Sequence, residues 1–297
     1  MRIDPNPYPD LLAEVAQTQQ QVNTDEQEIA SGLSVNEPSD NPGAAALLVE
    51  NAGQTSEADQ FERSIGSIQG EIQSADSTLD SVTTALQQAI SLGTEGANGT
   101  ENAADRAAIV VQIQGIQSQL LNLANLTYQG NYVFAGTATQ AAAYVLDPNS
   151  PSGVTYQGNT GVNRVTVGSQ LSLQTNLPGS QLFSGSGGNV FQSIQDLITS
   201  LQGGNTASIG TAVSEVGDAS SYLSEESVFY GNALNQLTSQ QTYLASDTTE
   251  LAQQETTIGG ADLPNVISNL TTSQTSLQAT LEAIAQTEST NLFQYLK

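Results

Sequence analysis

Apolar residues recur alternately three and four positions apart along both ends of this chain. The cleanest seam starts at Ile209 and continues through Val213, Val216, Leu223, Tyr230, Leu234, Leu237, Leu244, Leu251 and Ile258. Ser220, Ser227, Gln241, Thr248 and Glu255 are its polar exceptions. A mean spacing of 3.5 keeps one stripe on one side of an α-helix and suits it to lengthwise packing on another helix. At about 1.5 Å per residue such a helix is roughly 75 Å long, more than a compact domain needs. The pattern predicts a mainly α fold: long antiparallel helices in a rod-like coiled-coil bundle, with a small β domain inserted mid-chain.

The remaining seams divide the chain. Pro5, Pro7 and Pro9 predict an extended opening, and a helix can begin after Asp10. Leu11, Val15, Thr18, Val22 and Ile29 form its stripe, with Asp25 interrupting, and Ser31-Gly32 ends it. Asn36-Glu37-Pro38-Ser39-Asp40-Asn41-Pro42 reads as a turn, with Asn41 capping the next helix and Pro42 at its first position. That helix is expected to reach about Leu92 on Ile65, Ile68, Ile72, Ala75, Leu79, Val82, Leu86 and Ala89, and to end at Gly93, Gly96 and Gly99. Thr100 is the expected cap of a third helix carrying Ile109, Ile113, Ile116, Leu120 and Leu123. From Asn131 to about Phe183 short strands are expected at 132–134, 154–156, 162–167 and 171–175. Helical spacing resumes near Asn189. After the long seam, Asp262 caps a last helix with the stripe Leu263, Ile267, Leu270, Leu277, Leu281, Ile284, Leu292 and Tyr295. The expected divisions are 1–42, an N-terminal assembly helix pairing with 261–297; 43–130, a helical hairpin; 131–188, the β domain; 189–260, the helical return; and 261–297, the C-terminal assembly helix.

Composition excludes much chemistry. Thirty Asp and Glu face five basic residues, Arg2, Arg63, Arg106, Arg164 and Lys297. Such a field repels phosphate, so neither nucleic acid nor an anionic membrane is an expected partner. No stretch is long and apolar enough for membrane insertion or a cleaved signal peptide. With no His and no Cys, the Ser-His-Asp and Cys-His arrangements and imidazole or thiolate metal sites are absent. Gly185-Ser186-Gly187-Gly188 lacks the Lys-Ser/Thr of a phosphate loop and reads as a flexible linker. Asp147-Pro148-Asn149 reads as a turn rather than a calcium loop. No carboxylate pair is singled out by spacing. No catalytic residue, cofactor or metal is expected.

The middle seams read as bundle core. The terminal seams have few partners within one chain, because one pair of helices buries only one stripe. The terminal stripes, Leu11, Val15, Val22 and Ile29 with the eight apolar positions from Leu263 to Tyr295, are therefore the expected assembly interface, ordered by many copies sharing the burial.

The segment Ser31-Gly32-Leu33-Ser34-Val35-Asn36-Glu37-Pro38-Ser39-Asp40-Asn41-Pro42-Gly43-Ala44-Ala45 resembles a stretch of the bacterial flagellin and hook-associated protein superfamily. Asn36, Pro38, Ser39, Asp40 and Pro42 carry the likeness, and Asn41 stands where the family usually has Asp. Leu123-Ala124-Asn125 with Gly130 to Thr137, Tyr156-Gln157-Gly158, Pro178 to Phe183, and the ending Asn291 to Leu296 are further family landmarks. Within the superfamily the chain looks like the hook–filament junction proteins of the hook-associated protein 3 type. That resemblance implies export by the flagellar type III apparatus without a cleaved signal, and residence in the extracellular flagellum. It also implies a homo-oligomeric ring whose partners are the other hook-associated junction protein, flagellin and an export chaperone. The alternatives are flagellin itself or a secreted type III needle-tip or adhesin-like interaction protein.

Overall fold

The computed structural model describes the backbone of residues 8–295 and side-chain burial for residues 9–286. Pro5 and Pro7 lie outside the described residues, and Leu292 and Tyr295 outside those with described side chains. Long helices dominate, joined by small antiparallel hairpins. The chain divides into two compact units, Met1–Glu57 with Ser246–Lys297, and Ala58–Ala245.

The first unit holds α1 (Tyr8–Ser31) and α7 (Leu263–Tyr295), together with the start of α2 (Pro42–Gly96) and the end of α6 (Thr206–Gly259). Local chemistry sets the ends. Gly32 adopts φ +72°, which stops α1 after Ser31. Asn41 Oδ1 accepts from the Ala44 N–H at 3.1 Å and caps α2 at the expected position. Asn51 Nδ2 donates to the Leu251 carbonyl at 2.8 Å, joining α2 to α6 inside this unit.

The second unit contains the rest of α2 and α6, with α3 (Ala103–Ala124) and α5 (Val190–Gly203). All eight apolar positions expected on α2 from Ile65 to Ala89 are buried. So are Ile109, Ile113, Ile116 and Leu120 of α3, and Ile209, Val216, Leu223, Tyr230, Leu237 and Leu244 of α6. Three expected boundaries are corrected. α1 begins at Tyr8 rather than after Asp10, with Pro9 in its first turn, where a proline sacrifices no intrahelical hydrogen bond. Asn102, not Thr100, caps α3: its side chain accepts from Ala104 and Asp105 N–H groups, and Asp105 reaches back to complete a capping box. Gly93 lies inside α2, where a missing side chain lets Leu197 and Val213 close in.

Between α3 and α5 the chain forms four separate two-stranded hairpins. They pair β1 (Thr127–Tyr128) with β2 (Asn131–Tyr132), and β3 (Tyr144–Leu146) with β4 (Val154–Tyr156). β5 (Arg164–Gly168) pairs with β6 (Leu171–Gln174), and β7 (Ser184–Gly185) with β8 (Gly188–Asn189). Before β7 lies one short helical turn, α4 (Gly179–Leu182). Two-stranded ribbons are marginal alone, and these share one continuous core with the helices. Phe134, Tyr144, Phe183 and Phe191 stack edge-on or tilted, with centroids 4.9–6.2 Å apart. Asn125, just past α3, pairs both amide atoms with the Tyr144 backbone at 2.8 and 2.9 Å. The buried Tyr230 phenol accepts from the Leu177 N–H at 3.2 Å, tying α6 to the loop after β6.

The expected linker 185–188 is a tight hairpin lying on α6. A Cβ on Gly188 would stand 2.8 Å from Ala219 Cα and 3.1 Å from Tyr222 Cβ. Gly188→Ala is accordingly expected to lower stability by about 1–3 kcal/mol. Gly53→Ala, in α2 with no neighbour within 4 Å, should raise it by about 0.5–1 kcal/mol. Paired denaturant titrations read both, and equal signs refute this packing.

Burial pushes the Tyr230 phenol well above its ordinary value, with the carboxylates of Glu71 and Asp76 adding repulsion. The sign follows from linkage: a group whose folded value is raised contributes stability below its unfolded value, about 10, and loses it as pH climbs toward the folded one. Alkaline titration should therefore weaken this unit above about pH 10. Tyr230→Phe should reduce that alkaline loss while costing about 1–3 kcal/mol at neutral pH, through the orphaned Leu177 N–H.

Candidate assembly interface

Backbone pairing fixes how the terminal helices meet. The Ser34 N–H donates to the Gly259 carbonyl at 2.7 Å and the Ala261 N–H to Gly32 at 3.0 Å, around an antiparallel bridge between Leu33 and Gly260. The end of α1 is thereby pinned beside the start of α7, and the two helices run antiparallel in contact. The loop that follows is built by the family motif. Asp40 Oδ2 accepts from the Asn36 and Glu37 N–H groups at 2.9 and 2.8 Å, and Asn36 Nδ2 donates to the Leu33 carbonyl at 2.9 Å. Pro42 opens α2. Pro38 and Ser39 are exposed. Asn36 and Asp40 thus shape the turn between α1 and α2.

On α1 the expected stripe turns inward. Leu11, Val15, Thr18 and Ile29 are half-buried and Val22 is buried. Asp25 falls in the same row and is only 3% exposed. Its Oδ1 accepts from Gln21 Nε2 at 3.0 Å; its Oδ2 is buried without a hydrogen-bond partner. No Lys or Arg lies among the described residues of this unit. One turn on, burial raises the Glu28 carboxyl above its ordinary value, with further repulsion from Asp25 and Asp40.

On α7 the covered face is shifted from the expected stripe. Val266, Leu270, Ser273, Leu277, Thr280 and Ile284 are the buried or half-buried positions, spaced four and three apart. The expected assembly stripe includes Leu270, Leu277 and Ile284, but not Val266, Ser273 or Thr280. Leu263, Ile267 and Leu281 stand on the exposed flank, Ile267 at 52% and Leu281 at 50%. The helix carries two overlapping stripes that share Leu270, Leu277 and Ile284, and one neighbouring helix can cover only one of them. The polar Ser273 and Thr280 hid the covered stripe, although their seven-residue spacing from Val266 was legible. Leu12, Leu47 and Val49 are further exposed apolar side chains of this unit.

Such a surface can bind another apolar stripe. Among the described residues no group of three acidic side chains converges as a metal site, and no helix is long and apolar enough to cross a membrane.

Two family models match the chain, the bacterial flagellin N-terminal helical region over residues 6–139 and the bacterial flagellin C-terminal helical region over residues 207–296. The chain belongs to the flagellin family. Full-length likeness is narrower. The flagellar hook-associated protein 3 of Escherichia coli is 26% identical over 91% of this chain and 92% of its own length. That of Salmonella typhimurium is 27% identical over 90% of each. Among solved structures, a putative flagellar hook-associated protein from Vibrio parahaemolyticus aligns at TM-score 0.66 with 22% identity, covering 73% of this chain and 98% of its own. The flagellar junction protein FlgL from Legionella pneumophila aligns at 0.60 with 13% identity, covering 72% and 99%. At these identities the structural likeness establishes the fold.

Asp25 offers a direct test of the seam. Replacing a half-satisfied buried carboxylate by an apolar group of similar volume is neutral to stabilising, by up to about 4 kcal/mol. Asp25→Leu is expected to raise the melting temperature of this unit's helical signal in circular dichroism. A lowered melt would show that Asp25 does not lie in the seam. Because the Glu28 carboxyl is raised, its contribution is present at acid pH and fades as pH rises through its folded value. The unsubstituted protein should therefore melt higher at about pH 5 than at about pH 7.

Proposed function

We propose that this chain is a structural subunit of the bacterial flagellum, forming the junction between hook and filament and assembling through its terminal helices. Full-length similarity to two proteins named flagellar hook-associated protein 3 carries the reading. The unevenly covered α7 supports the manner of assembly, since Leu263, Ile267 and Leu281 remain open to a neighbour. The segments 1–42 and 261–297 act as the assembly helices. Copies form a ring between the other hook-associated junction protein and flagellin. The chain reaches that place through the flagellar type III apparatus, its C-terminal helix held beforehand by an export chaperone. Its role is mechanical, joining two surfaces, and it catalyses nothing. Flagellin is the second reading, because the matched family models describe flagellin termini.

Immunogold labelling of isolated flagella separates the two. A band at one end of the filament is the expected result, and decoration along its length would assign the chain to the filament itself. Leu277→Asp or Ile284→Asp places a charge in the terminal seam, at a cost of several kcal/mol where burial is complete. Either variant should keep the second unit folded while losing motility and the band. Full complementation by both would refute assembly through this seam. In a verified monomer, hydrogen exchange over residues 11–30 and 265–286 should be fast, because ordering there depends on shared burial.

A further inference from the structure

Charge is distributed very unevenly along the second unit and the helices that enter it. From Ala107 to Gln195 the only charged residues are Asp147 and Arg164, and from Ser227 to Ser246 there are none, in a chain of net charge −25. Two grooves are lined from these stretches and from a third uncharged run, Ser81 to Thr94. One, about 490 Å³, lies between α2 and α3 and is lined by Gln88, Leu92, Gln112, Gly115, Ile116 and Gln119 together with Ser91. The other, about 640 Å³, runs along α6 beside the start of β6 and is lined by Asn235, Gln236, Gln240, Leu171 and Tyr243 among others. The side-chain amides of Gln88, Gln112, Gln119, Asn235, Gln236 and Gln240 make no hydrogen bond within the described chain. The second groove also shows a large side chain to solvent, Tyr243 at 61%. By contrast, the groove between α5 and α6 carries Asp196 and Glu215.

We propose that these two neutral faces are the complementary halves of a head-to-tail contact between copies, with the Tyr243 face of one copy seated in the Gly115 groove of the next. The inference rests on the ring reading and adds a contact layer separate from the terminal helices. Three observations select a second copy as the occupant. A chain this acidic meets itself at least cost where carboxylates are absent, since like charges brought together are unfavourable. Side-chain amides both donate and accept, so amide-lined surfaces satisfy one another, which carboxylates cannot do. A ring requires two different faces on each subunit, and the two grooves share no residue. The geometry fits a knob and a notch. Tyr243 projects from α6, and at Gly115 a Cβ would have no atom within 4 Å, leaving a step in the surface of α3.

The chain has no cysteine, which makes the test specific. Flagella isolated from cells producing Gln119→Cys and Gln236→Cys copies together, treated with a short bismaleimide, should yield a cross-linked dimer. Flagella containing either copy alone should not. A dimer from one variant by itself, or no dimer although both copies are present, overturns the head-to-tail pairing. If either variant is kept out of flagella, Gln112→Cys with Gln240→Cys gives the same reading across the next turn. Gly115→Leu provides the second arm. It fills an open step in a helix interior, so the monomer should melt at the same temperature or higher, yet the cross-link should be lost. Retention of the cross-link in that variant refutes the knob-and-notch contact. Absence of even the unsubstituted protein from flagella would instead defeat the junction reading on which this contact rests.

Discussion

Three residues on either side of one backbone bridge govern the first unit. Gly32 to Ser34 pair with Gly259 to Ala261 through main-chain hydrogen bonds of 2.7 and 3.0 Å. Main-chain pairing of this kind is insensitive to side-chain identity but fixes direction and register. It sets the end of α1 beside the start of α7, so the two stripes must meet antiparallel. It also fixes which side of α7 is covered, and therefore which of its leucines remain open. The family motif serves that bridge. Asp40 gathers the Asn36 and Glu37 amides, so the chain leaves the bridge and enters α2 along a defined path.

The first unit is sparing in apolar burial. Among the described side chains of α1 and α7 only Val22 and Val266 are buried apolar ones, while Asp25 and Thr280 occupy comparably buried positions. A half-paired carboxylate in a two-helix seam weakens the pair standing alone, and leaves most of its stabilisation to be gained on association. The second unit is the opposite case. Its helices and hairpins share a single core with many fully buried side chains, and its four ribbons are held by aromatic stacking and by Asn125, Tyr144 and Tyr230 rather than by a sheet. One chain thus joins a firmly packed body to a pair of terminal helices with surface to spare, a division of labour that suits a subunit of a larger assembly.

Much of this was legible in order along the chain. The α2, α3 and α6 stripes are buried or half-buried where the 3.5-residue spacing puts them, because a helix long enough to show many turns leaves little ambiguity of phase. Asn41, Asn189 and Asp262 mark helix starts by local side-chain hydrogen bonds, and Gly32 and Pro42 mark helix ends by backbone conformation, both of which depend only on neighbouring residues. The strands were harder. β3 has only three residues, and Tyr144 is placed by its pairing with Asn125, nineteen positions away. The glycines at 185–188 resemble a linker in sequence, and only the presence of Ala219 and Tyr222 beneath them explains the absence of side chains.

The sequence by itself determined the helices, their apolar faces, the exclusion of His- and Cys-based chemistry and the family likeness, because each of these resides in residue identity and short-range spacing. The tertiary structure decided which of two overlapping stripes on α7 is covered, that Asp25 lies half-satisfied in the seam, and that Gly188 is a point of close approach. Those facts depend on which surfaces are brought together, and a backbone bridge between residues more than two hundred positions apart makes that choice.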